Sequence, residues 1–210
     1  MTLHIIKNIS EMRKTVFFIA AMMSVLFIMT ACAKQKSGDK AQNTSQATAD
    51  TTAKDTKTLI AYFSATGTTE RVAKMIATAT GGELLKIQPK EPYTSADLDW
   101  NDKSSRCCRE NDDPKARPAI VKSKKDLNAY DTIYLGFPCW WDAAPRIINT
   151  FIETYSLDGK KVIPFMTSGG STIDNSEKLL QKAYPKANWQ KGKLLNEATQ
   201  EDVDAWLKAK

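Results

Sequence analysis

Residues 58–77, TLIAYFSATGTTERVAKMIA, constrain this chain more than any other stretch. A short apolar run, Leu59 to Phe63, gives way to Ser64-Ala65-Thr66-Gly67-Thr68-Thr69. A helical pattern follows, with Val72, Ala73, Ile76 and Ala77 on one face. The order is strand, hydroxyl-rich loop, helix start. Backbone N–H groups in the first turn of a helix lack partners and carry partial positive charge, so they attract anions such as phosphate. Ser64, Thr66, Thr68 and Thr69 add neutral hydroxyl donors, and Gly67 allows close backbone approach. The loop has no Lys and no acidic residue; Glu70 and Arg71 come after it. Such a loop suits a phosphate monoester held by neutral dipoles, with no metal called for. Neither the G-x-x-x-x-G-K-[ST] nor the G-x-G-x-x-G phosphate loop occurs.

The remaining chain repeats the alternation. Gly81-Gly82 is placed to end the first helix, and Glu83 to Gln88 can form a second strand. Pro89 to Pro118 lacks periodicity and reads as a long functional or mobile loop, and Ala119 to Asn128 as a helix. Asp131 to Gly136 is a third strand running into Phe137-Pro138-Cys139-Trp140-Trp141. Pro145 opens a helix with Ile147, Ile148, Phe151, Ile152 and Tyr155 on its apolar face. Val162 to Met166 is a fourth strand, ending in Thr167-Ser168-Gly169-Gly170-Ser171. Asp174 with Glu177 suggests a capping-box variant for a helix to Ala183. Trp189 to Leu195 reads as a fifth strand interrupted at Gly192, and Thr199 as the cap of a helix burying Val203, Trp206 and Leu207. Alternating strands and helices predict an α/β fold: one parallel sheet, covered on both faces. The hydroxyl loop, the Trp-Trp loop and the Gly-Gly loop all follow strand ends, so they converge on the carboxyl edge where such sheets bind ligands.

Ser-x-Thr-Gly-x-Thr after a first strand resembles the FMN-phosphate loop of flavodoxins. Gly136-Phe137-Pro138-Cys139-Trp140-Trp141 is similar to the G-[YF]-P-I-W-W segment of a flavodoxin-like family of bacterial FMN proteins, and Thr167–Ser171 to its third loop. Pro92-Tyr93-Thr94 and Arg117-Pro118 also sit where that family has similar residues. The resemblance spans roughly Thr58 to Leu207. It implies a flavodoxin-like fold with a five-stranded parallel sheet in order 2-1-3-4-5. It implies FMN, with Ser64, Thr66, Gly67, Thr68 and Thr69 on the phosphate. An isoalloxazine ring needs an aromatic face and edge amides. Trp140 or Trp141 would supply the face, since adjacent side chains point to opposite sides. Backbone at Pro138, Cys139, Ser168, Gly169 and Gly170 would supply the edge. Two positions depart from the family: Cys139 replaces an aliphatic residue, and Asp142 replaces Gly and would bring a negative charge near the flavin.

Residues 1–32 read as an export signal. Met12-Arg13-Lys14 precedes Val16–Met29, an almost wholly apolar run of signal-peptide length, and Met29-Thr30-Ala31-Cys32 resembles a bacterial lipobox, with Cys32 acylated. An uncleaved anchor is the alternative. Residues 33–57 have no apolar side chain larger than Ala and read as a disordered polar tether, leaving 58–210 as the folded domain. The expected location is the periplasmic side of the inner or outer membrane, reached through the lipid. The net charge of +6 sits mostly in the N-terminal segment: residues 58–210 carry 22 Lys/Arg against 20 Asp/Glu, which gives no argument for nucleic acid.

The only histidine, His4, falls in the signal segment, so the folded domain has no His base and no His metal ligand. Cys107, Cys108 and Cys139 have no C-x-x-C spacing, and no metal site is expected. Their simplest roles are packing and a structural or vicinal disulfide, which an oxidising compartment permits. Exchange of electrons with the flavin is the sharper alternative. The resulting expectation is an FMN-binding electron-transfer protein with an unknown redox partner. Two alternatives stand beside it: an FMN-dependent NAD(P)H reductase of quinones or nitro compounds, using Pro89–Pro118 as a pocket, and a flavin-free binding module.

Overall fold

The computed structural model describes residues 57–210. The expected signal peptide, Cys32 and the tether up to residue 56 lie outside the described residues. The sheet is built from β1 (Thr58–Tyr62), β2 (Glu83–Lys86), β3 (Thr132–Pro138), β4 (Lys161–Thr167), β5 (Asn188–Trp189) and β6 (Lys193–Leu194). Every pairing is parallel and the order is β2-β1-β3-β4-β5, with β6 also on β4. β5 and β6 are the two halves of the expected fifth strand, and the order 2-1-3-4-5 is as expected.

The period of two along β1 sorts its side chains between two cores. Leu59, Ala61 and Phe63 join one, Ile60 and Tyr62 the other. On the Ile60 side lie α1 (Thr68–Thr80) and α5 (Gln200–Lys208), through Val72, Ala73, Ile76, Val203 and Trp206. On the Leu59 side lie α3 (Arg146–Tyr155) and α4 (Asp174–Ala183), through Ile147, Ile148, Phe151, Ile152 and Leu180. The result is the three-layer flavodoxin-like fold. Among the described residues no helix is long and apolar enough to cross a membrane.

Three of the expected helix ends follow local chemistry and one does not. Gly81 ends α1 in the left-handed conformation (φ 66°), its N–H bonded to Ala77 O. Pro145 precedes α3, and Thr199 caps α5 in a full capping box with Asp202. The expected Asp174–Glu177 box does not form: Ile173 is the N-cap, without a side-chain bond. Glu177 is buried and turned away, accepting from Gly192 N–H and pairing with Lys191 at 2.8 Å.

The segment between β2 and β3 also differs from expectation. Residues 119–128 do not form the expected helix. Ile120 bridges antiparallel to Pro89, with Lys90 N–H on Ala119 O and Val121 N–H on Gln88 O, both 2.8 Å. Ile120 is buried between exposed Ala119 and Val121, a strand's period rather than a helix's. Only Leu127–Ala129 makes a 3-10 turn. The long loop before it holds a 3-10 turn at Ala96–Leu98 and a short helix, α2 (Arg106–Asp112), that buries Cys107 and Cys108.

Candidate functional site

β1, β3 and β4 end at the same edge of the sheet. Phe63 N–H bonds Gly136 O at 2.9 Å, extending the β1–β3 ladder by one residue before the chain turns. Gly67 then sits at φ 94° as the N-cap of α1. A Cβ there would meet nothing within 4 Å, so the backbone angle, not space, requires glycine. The first helical bond is Arg71 N–H to Gly67 O, 3.0 Å. The N–H groups of Thr68, Thr69 and Glu70 precede it, in the turn where a helix offers them no acceptor.

The four hydroxyls of this loop divide. Thr66 and Thr68 are exposed, their oxygens 3.5 Å apart. Ser64 is nearly buried and accepts from Gly67 N–H at 3.1 Å, bracing the loop while its own hydrogen can still donate. Thr69 is buried, and its hydroxyl lies 2.8 Å from that of buried Thr167 at the end of β4. That bond pins the start of α1 to the base of the third loop.

The second loop leaves β3 with Cys139 N–H on Thr167 O, 2.7 Å. Trp140 and Ala143 then exchange both backbone bonds, N to O 2.9 Å and 3.0 Å. The two residues between them, Trp141 (φ 46°) and Asp142 (φ 62°), are both left-handed, as in a type I′ turn. Asp142 thus occupies a backbone state that suits glycine, and Asp tolerates it better than most residues. Asn175 Nδ2 (2.9 Å) and Ser176 Oγ (3.3 Å), in the first turn of α4, both donate to Asp142 O and hold the turn. The turn sends the two tryptophans apart. Trp140 is half-buried, edge-on to Phe63 (5.8 Å) and Tyr93 (5.5 Å), whereas Trp141 is exposed.

In the third loop, Ser168 Oγ accepts from Gly170 N–H (3.1 Å) and Ser171 N–H (2.8 Å), and Ser168 N–H donates to Asn196 Oδ1 (2.5 Å). Arg71 in turn donates to Asn196 O (2.5 Å) and Ala198 O (2.7 Å), so α1 holds the segment after β6. A Cβ on Gly169 or Gly170 would meet no protein atom within 4 Å; the space above both is open.

These three loops line one groove of about 580 Å³. It runs from Ser64, Thr66, Thr68 and Thr69 past Pro138, Cys139 and Trp140 to Ser168 and Gly169. Of the expected site residues, Gly67, Trp141 and Gly170 stand beside this lining rather than in it. Leu98, Asn196 and Glu197 also line the groove and were not anticipated. Asn196 and Glu197 follow the last strand, so the rule that points to strand ends would have reached them. Leu98 lies in an aperiodic loop and carries no such signal.

The insertion between β2 and β3 supplies a buttress. Tyr93 packs on Phe63 and Trp140, its hydroxyl donates to Glu110 Oε2 at 2.5 Å, and Arg106 lies over its ring at 4.0 Å. Arg106 Nε also pairs with Glu110 Oε1 at 2.6 Å. Burial, then the bond to the Glu110 carboxylate, pushes the Tyr93 phenol well above its ordinary pKa, so it remains a donor. Among the described residues, Cys107, Cys108 and Cys139 are free thiols, so the expected disulfide does not form between them. Burial also raises the Cys107 thiol, against the reactivity that electron exchange would need.

Topology and site together define a doubly wound α/β protein with its ligand groove at the carboxyl edge of the sheet. The family model for flavodoxin matches residues 57–210, and the chain belongs to the flavodoxin family. It is similar to a candidate flavoprotein from Bacteroides eggerthii, with 55% identity over 74% of this chain and 98% of that one, TM-score 0.71. A candidate flavoprotein from Bacteroides uniformis is 58% identical over 73% and 98%, TM-score 0.71. A flavoprotein from Lactobacillus acidophilus, solved in complex with FMN, is 25% identical over 72% and 99%, TM-score 0.58. No curated protein sequence matches the chain.

Proposed function

We propose that this protein binds FMN in the groove and transfers electrons, tethered outside the cytoplasmic membrane through Cys32. The observation that carries the reading is the continuity of the groove: one cavity joins a helix start rich in free N–H groups to an aromatic wall. Its volume lies within the roughly 300–1,000 Å³ of small-molecule sites. The open space over Gly169 and Gly170 leaves room for the edge of a ring. Family membership and the FMN complex of the Lactobacillus acidophilus protein support the same choice.

Bound there, FMN supplies the redox chemistry. The chain supplies binding and electrostatics. The exposed hydroxyls of Thr66 and Thr68 and the N–H groups of Thr68 to Glu70 hold the phosphate with neutral dipoles. Trp140, fixed by Phe63 and Tyr93, gives the ring a preorganised wall, and the backbone of Cys139 and of Ser168 to Gly170 serves its polar edge. No side chain has to act as acid or base for electron transfer, in keeping with a folded domain that contains no histidine.

The test is a visible spectrum of the purified full chain after excess FMN is added and free FMN removed. Retained flavin absorbance, lost in Thr66→Leu/Thr68→Leu, supports the reading. A folded chain that retains none sinks it. Acylation at Cys32 is tested by labelling with a fatty-acid analogue, with Cys32→Ala as the control. An unlabelled wild-type chain refutes the tether.

A further inference from the structure

A second cavity, of about 250 Å³, adjoins the groove. It is lined by Leu98, Trp100, Cys107, Cys139, Trp140 and Trp141, of which Leu98, Cys139 and Trp140 also line the groove. None of the six side chains is an acid or a base in the charged sense: the wall is apolar, aromatic and thiol. Burial raises the Cys107 thiol, which keeps that part of the wall neutral. Two of the five exposed large hydrophobic residues of the described chain stand at this cavity, Trp100 at 67% exposure and Trp141 at 41%. Exposed tryptophans that share one concave, uncharged pocket are unusual on a surface and mark binding sites. The turn bearing Trp141 is held in a left-handed backbone by two bonds from α4, so the backbone that presents this ring is fixed.

We propose that this cavity binds a small, flat, uncharged, conjugated ring molecule of the quinone class beside the flavin groove. Size and surface both argue for that occupant. A cavity of about 150 Å³ already admits benzene, so this one suits a single substituted ring or two fused rings. Flat rings gain most from aromatic walls, whereas an anion would find no cationic side chain among the six. The three shared lining residues put such a ligand next to the groove. The position beside FMN rests on the reading above; the cavity itself does not.

The probe is tetramethyl-1,4-benzoquinone, whose fully substituted ring resists addition by the nearby thiols. Its binding to the full chain is measured by equilibrium dialysis, with and without FMN, beside FMN retention by absorbance. Saturable binding is expected, weakened about tenfold in Trp100→Ala, the worth of one aromatic face, and largely restored in Trp100→Phe. FMN retention should not change, because Trp100 does not line the groove. Trp100 is largely exposed, so its removal leaves the fold intact, which far-UV circular dichroism checks. Absence of saturable binding, or binding indifferent to Trp100→Ala, overturns the proposal. Release of FMN by the probe overturns it too, since the cavity would then belong to the flavin. A chain that fails to keep FMN yet binds the probe through Trp100 upholds this site while refuting the flavin reading.

Discussion

Thr69 and Thr167 stand 98 positions apart in the chain, and their hydroxyls meet at 2.8 Å inside the protein. Removing one of them should cost more than the bond is worth. In Thr69→Val the shape is kept and the Thr167 hydroxyl is left buried without its partner. An unmade hydrogen bond at a buried group costs about 1–3 kcal/mol. For a domain of this size about 2–4 °C of melting temperature is lost per kcal/mol, so a drop of roughly 4–8 °C follows for a mid-range cost of about 2 kcal/mol. Thr167→Val should behave alike. The double variant replaces both hydroxyls by methyls and should return close to the wild-type midpoint, because no buried group is then unpaired. Thermal melts of the four full-length chains, followed by circular dichroism, close the cycle. Single variants that melt with the wild type, or a double variant that loses the sum of the two, would refute the reasoning. Flavin affinity gives an independent check. The Thr69 hydroxyl is committed to Thr167 while its N–H is untouched, so Thr69→Val should retain FMN where Thr66→Leu/Thr68→Leu does not.

Three further outcomes follow from the geometry. Asp142→Gly should raise the melting temperature by up to about 2–4 °C: relief of the left-handed backbone, worth about 1–2 kcal/mol, exceeds the 0.5–1 kcal/mol of added chain entropy; no gain, or a loss, counts against strain at this turn. Gly136→Ala would place a Cβ 2.1 Å from the Phe165 ring in a fully packed core, so a loss of about 1–3 kcal/mol in urea denaturation is expected, with partial recovery on adding Phe165→Leu. Glu153 accepts from Arg117 Nε and from the Tyr184 hydroxyl, both at 2.7 Å, and the Arg117 bond above all holds its carboxyl below the usual range. A depressed carboxyl contributes stability above its unfolded pKa and loses it as pH falls through the folded one. The urea midpoints of wild type and Arg117→Ala should therefore differ most at pH 7 and draw closer as the carboxyl is protonated in acid, the Arg117 bonds to Pro114 O and Ala116 O keeping part of the gap; a gap that is constant with pH would contradict this.

What could be read from the sequence is what short-range chemistry decides. The run from Thr58 through the hydroxyl loop into α1 declares itself by a change of period and by a glycine at the turn, and the three loops follow once each strand end is located. Thr199 caps α5 because its partner, Asp202, lies three residues away. Where a distant group competes, the local signal loses. Glu177 is spaced to reach back to its own helix start, yet Gly192 N–H and Lys191 capture it. α2 is too short to be stable alone. The Ser105 cap and the Arg106–Glu110 pair hold it locally, and the Tyr93 hydroxyl, 17 positions from Glu110, ties it to the rest of the fold, a contact that propensity does not see.

The tryptophans make the same point at the site itself. Periodicity separates two adjacent side chains but cannot say which faces the groove. The turn decides it: with both central residues at positive φ, the chain reverses between Trp140 and Ala143, leaving Trp140 against Phe63 and Tyr93 and turning Trp141 outward. Sequences usually announce such a turn with Asn-Gly or Asp-Gly; Trp141-Asp142 announces nothing. The fold can impose it because Asn175 and Ser176 bind Asp142 O from α4. The departure from glycine at 142 therefore leaves the turn in place, with an exposed carboxylate on it.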